Sequence, residues 1–127
     1  MSTAEPVFSF AKLFPVSTAK MLEVIAEVTL LMQSGQVRIG SYGLHTFHDR
    51  LLTLLDLWHP IYQQFDIRHH PDVAHAVLCK QLHRYMFLFR TLEDLNLHQI
   101  NAVALCSKMG IVSVVLGYIQ EEIERDY

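Results

Sequence analysis

Apolar side chains recur every three or four positions along most of this chain, the period of a helix with one side in a core. Between Ser17 and Ser34 the stripe is Met21, Ile25, Val28 and Met32, widened by Leu22, Leu30 and Leu31. Ser17 or Thr18 is placed to cap the start of this helix and Gly35 to end it. A glycine-punctuated loop follows over 36–43, within which Val37, Arg38 and Ile39 can form a short extended piece. A second helix is predicted from near Gly43, with Leu44, Phe47, Leu51, Leu54, Trp58, Ile61 and Phe65 on one side. Pro60 falls inside it. Proline removes one backbone bond and clashes with the preceding turn, so a kink or break is expected near Trp58–His59. Residues 66–70 connect to a third helix, with Pro71 suited to its first position and Asp72 to its positive end. Ala74, Leu78, Leu82, Tyr85, Phe89 and Leu92 form its expected core stripe.

The C-terminal run departs from this amphipathic pattern. Asn96 followed by Gln99 reads as a capping box for a helix start. From Ile100 to Ile119 the only charge is Lys108. Ala102, Cys106, Gly110, Ser113 and Gly117 recur at steps of four, four, three and four, which places five small side chains on one side of a helix. Larger apolar residues occupy the rest. A helix apolar nearly all round belongs in the centre of a bundle or in a membrane. The small stripe is expected to be a close helix-packing or interface surface, covered by a helix of the same chain or by a second subunit. The run is about as long as a bilayer span, roughly 20 residues. Lys108 near mid-bilayer would cost about 2.5–3.5 kcal/mol, and Asn101 and two serines add to that. The buried soluble helix is therefore the preferred reading, with no membrane. Gly110 offers an alternative break in the run and the β-branched segment 111–115 an alternative strand, but no turn signals or partner strands lie nearby.

Together these segments predict an all-α protein, a four-to-five-helix bundle around the apolar C-terminal helix. Residues 1–127 read as a single helical domain, without repeats or low-complexity segments. Residues 1–15 carry Val7, Phe8, Phe10, Leu13 and Phe14 and are expected to dock as an N-terminal arm, because leaving phenylalanines in water forfeits roughly 1.5–3 kcal/mol each.

Composition narrows the function classes. Hydrophobic residues make up 51% and charged residues 18% of the chain, which excludes disorder and suggests that a partner covers some apolar surface. Net charge is −3, with no Lys/Arg cluster, so nucleic acid is not an expected ligand. Two cysteines within helical patterns, Cys79 and Cys106, fit buried thiols in a reducing cytoplasm. The N-terminus shows no secretory pattern.

Eight histidines are the main candidate chemistry. His75, Cys79 and His83 share one helix face at spacings of four, where imidazole and thiolate can bind a transition metal. All three cannot reach one ion, because eight residues span about 12 Å of helix. His45 pairs with His48 or Asp49, so a metal could be clamped by His45/Asp49 and His75/Cys79. The ordinary alternative is boundary histidines around a core thiol, and neither HxxxE nor ExxH, the pairs typical of di-iron bundles, is present. Arg68 followed by His75 resembles the nucleic-acid-cleaving site of HEPN ribonucleases, themselves small dimeric helical bundles. The resemblance covers two residues, and His69, His70 and Pro71 intervene. It implies RNA cleavage; the alternative is a solvated loop arginine. Cys106, Ser107 and Ser113 lack a base and an approach path for nucleophilic work. Glu121, Glu122, Glu124 and Asp126 read as a solvated end that opposes the helix dipole. The expected function is a non-enzymatic interaction or regulatory protein, a homodimer or the binder of a protein partner, with no cofactor. The alternative is a metal-binding bundle using His45, His48, His75 and Cys79, and a weaker one an HEPN-like ribonuclease.

Overall fold

The computed structural model describes residues 9–64, 73–94 and 99–125 and, within its helices, no side chain at 59–64, 73–79, 82, 92 or 94. The described residues form an all-α bundle of five helices: α1 Phe10–Leu13, α2 Pro15–Gln33, α3 Tyr42–Gln64, α4 Val73–Asp94 and α5 Ala102–Glu124. The deepest layer lies between α2 and α3. Met21, Val24, Ile25 and Val28 of α2 are buried with Leu44, Phe47, Leu51, Leu54, Leu55 and Trp58 of α3. The part of the N-terminal arm within the described residues contributes Phe10, whose ring meets Trp58 edge to face with centroids 5.8 Å apart.

Local chemistry sets the boundaries. α2 begins one turn earlier than its hydroxyls suggest. Pro15 takes the first position, where a missing N–H is harmless. Thr18 then lies inside the helix and donates its hydroxyl to the Phe10 carbonyl at 3.0 Å. The C-terminus of α2 is a Schellman motif: Gly35 at φ 71° lets the Gln36 N–H reach the Leu31 carbonyl at 3.1 Å and its own N–H reach that of Met32 at 3.3 Å. Ser41 opens α3 by accepting the Leu44 N–H at 3.3 Å. Gly43 passes so close to Gln36 that a Cβ there would overlap the Gln36 carbonyl.

Several expectations need correction. α3 runs unbroken through Pro60; one lost backbone bond is outweighed by a helix face that is continuously buried from Leu44 to Trp58. α5 starts at Ala102, where the Asn101 side chain accepts the Ala104 N–H at 2.8 Å, so Asn101 is the cap and the helix does not reach back to Gln99. α4 is rotated from its expected stripe. Gln81, Leu88 and Thr91 face the core, Tyr85 is half-buried, and Phe89 is exposed. Pro71, Asp72 and Asn96 lie outside the described residues.

α5 differs most. It packs against α4, α2 and α1 with one side only. Leu105, Val112, Leu116, Ile119 and Ile123 are buried, whereas Ala102, Cys106, Gly110, Ser113 and Gly117 are all exposed. No atom outside the immediate backbone lies within 4 Å of a Cβ built at Gly110 or Gly117. The close crossing by a helix of the same chain is therefore absent among the described residues. The reason is area: with apolar groups on both sides, the side carrying leucine, isoleucine and valine removes more surface from water than one carrying glycine, alanine and serine.

Candidate interaction face on the C-terminal helix

A charged clamp holds α5 in this rotation. Arg84 of α4 meets Glu122 at 3.0 Å, with the two side chains 21% and 8% exposed. The same guanidinium lies 5.2 Å from the Tyr118 ring centroid and donates to the Tyr118 carbonyl at 3.5 Å. Glu122 is thus not part of a solvated end; it sits one helical turn beyond Tyr118 on the α4 side. Sequence reasoning missed this pair because its partners are distant in the chain. The available signal was a glutamate flanked by Ile119 and Ile123, both buried.

With that side turned inward, α5 presents an apolar outer side. Val103 is 81% exposed, Val114 56%, Tyr118 51% and Ile111 41%. These form a ridge, and Cys106, Gly110, Ser113 and Gly117 form a shallow trough beside it. Cys106 is a free thiol. Lys108, the one charge in the run, is half-buried at the edge. Along the α4 boundary a shallow groove is lined by Lys80, His83, Arg84, Phe87 and Val115. By length and composition α5 is also able to cross a membrane: its mean hydropathy is 1.9 and 22% of its most apolar window is buried.

The candidate metal ligands do not converge among the described residues. His45 and Asp49 are exposed on α3, His48 is half-buried, and His83 is exposed on α4. No group of three or more His, Cys, Asp or Glu side chains is placed to hold an ion among the described residues. The side chains of His75 and Cys79 lie outside them, as does Arg68, so the proposed clamp and the HEPN-like pair fall there too. One polar group in the core stands out. Gln81 is 1% exposed, and among the described residues neither its Oε1 nor its Nε2 has a hydrogen-bond partner. The chain matches no family model, no curated protein and no solved structure, so a functional reading starts from its own residues.

Proposed function

We propose that this chain is a small non-enzymatic interaction module of the cytoplasm, regulatory through what it binds, and that the outer side of α5 is its binding face. The observation that carries this is the exposed ridge Val103, Ile111, Val114 and Tyr118 on a helix whose opposite side is already buried. Isolated exposed apolar residues are ordinary, but four on the outer side of one helix mark a surface suited to being covered. The exposed free thiol of Cys106 within that face suits a reducing compartment.

A membrane span is a poorer use of the same helix. It would strip Leu105, Val112, Leu116, Ile119 and Ile123 from the core and leave Arg84 without its carboxylate. The reading is tested by size-exclusion chromatography of the native extract. The wild-type chain, 14.7 kDa alone, is expected in a larger assembly, and Val114→Glu is expected at monomer size with unchanged helix content. A wild-type chain of monomer size in both extract and purified form would sink it.

A further inference from the structure

We infer that the partner of this chain is a protein offering an acidic amphipathic helix, and that this helix seats in the groove between α4 and α5. This rests on the reading of the outer side of α5 as the binding face and names the chemistry of what covers it. The first observation is charge. Residues 73–92 contain Lys80, Arg84 and Arg90 but no Asp or Glu, in a chain whose net charge is −3. At about 100° per residue, Lys80, His83, Phe87 and Arg90 fall within one stripe of α4 about 80° wide. Glu93, the one acid among the described side chains of that helix, lies about 60° further round. The acids at the end of α5 are already matched: Glu122 meets Arg84 at 3.0 Å and Glu121 meets Arg125 at 2.7 Å. Lys80, His83 and Arg90 are exposed and have no ion pair among the described residues.

The second observation is shape. Two adjoining hollows share His83 and Phe87: the groove along the α4 boundary, of about 540 Å³, and one of about 390 Å³ lined by His83, Met86, Phe87 and Arg90. Together they run from Lys80 to Arg90, about 15 Å or three turns of helix. The two cations stand at the ends, and Phe87, Met86 and Val115 supply the apolar middle. Going round α5 away from this groove, Val115 is followed by Ile111 and Tyr118, then by Val114 and Val103. The groove and the exposed ridge of α5 are therefore one continuous surface. An apolar floor with cations at its ends fits a helix that carries apolar side chains at every third or fourth position and carboxylates beside them. Nucleic acid is a poorer fit, because its binding proteins commonly neutralise about six or more phosphates. A small anionic ligand would stay largely in water in hollows this shallow.

The test uses purified full-length protein and two fluorescein-labelled helical peptides of about 18 residues, long enough to hold a helix. Both carry the same leucine stripe; one has glutamate and the other lysine at the flanking positions. Fluorescence polarisation should show the glutamate peptide binding at least about tenfold tighter than the lysine peptide, with affinity falling as salt rises. The double variant Lys80→Glu/Arg90→Glu changes two exposed positions, so it should keep its helix content and melting temperature and reverse the preference between the peptides. Equal binding of the two peptides by the wild type, or an unchanged preference in the double variant, overturns the inference. If neither peptide binds but the native extract shows an assembly that Val114→Glu abolishes, the α5 binding face stands and the acidic helix is refuted. If the glutamate peptide binds with full affinity to Val114→Glu, the groove recognises it without the α5 ridge and the reading of that face falls. Tighter binding to a labelled oligouridylate, or to phosphatidylcholine–phosphatidylserine vesicles, than to the glutamate peptide overturns the inference in favour of nucleic acid or of lipid.

Discussion

Replacing single glycines by alanine separates the two environments that this fold gives them. At Gly110 and Gly117, mid-helix and with nothing within 4 Å of an added Cβ, alanine relieves the poor helix propensity of glycine and adds no contact. The expected gain is about 0.5–1 kcal/mol per site in the monomer. At Gly43 the same methyl meets the Gln36 carbonyl, a backbone atom held by the loop that Ser41 organises. Displacing it costs about 1–3 kcal/mol, only partly offset by propensity. For a chain of this length 1 kcal/mol moves the melting temperature by about 4 °C. Gly110→Ala should therefore melt about 2–4 °C higher and Gly43→Ala about 4–8 °C lower. Thermal unfolding followed by far-UV circular dichroism measures both, at a concentration where sedimentation gives the monomer mass. A lower melting temperature for Gly110→Ala under those conditions would mean that a segment of the same chain packs over α5. A higher one for Gly43→Ala would mean that the approach to Gln36 is not tight.

The remaining predictions concern buried groups and metal. Gln81→Leu should stabilise the fold by about 1–3 kcal/mol in urea unfolding, because it removes a buried amide with no partner among the described residues; destabilisation would show that the amide is satisfied in solution. Glu122→Gln should lower stability by about 2 kcal/mol, below the value for a fully buried pair because Arg84 is one-fifth exposed, whereas Glu23→Ala, whose partner Lys20 is open to water, should change it by less than about 0.5 kcal/mol. Equal effects at the two sites would refute the clamp. Phe10→Ala should cost about 3–5 kcal/mol by opening a cavity against Trp58, and an effect near zero would mean that α1 does not hold its place. Elemental analysis of untagged protein should find no stoichiometric metal; one equivalent of zinc or iron lost on His75→Ala would restore the metal-binding reading.

The α2 and α3 stripes were legible because each helix has one apolar and one polar side. A period of 3.6 then states both that the segment is a helix and which way it faces. The α2 stop at Gly35 was legible for a similar reason, since a left-handed residue after an apolar run has one common use. α5 was legible as a helix but not as a direction. Its circumference is apolar throughout, so periodicity carries no preference, and the choice fell to which side buries more area. α4 differs, because it does have a polar side, yet Gln81 and Thr91 entered the core and Phe89 left it. There the rotation is coupled to a contact between Arg84 and Glu122, 38 positions apart, and no local pattern encodes a pairing between helices. Sequence alone determined that small residues line one side of α5. Only the tertiary structure decided that this side faces outward, because helix orientation is a competition among all the faces that could fill one core.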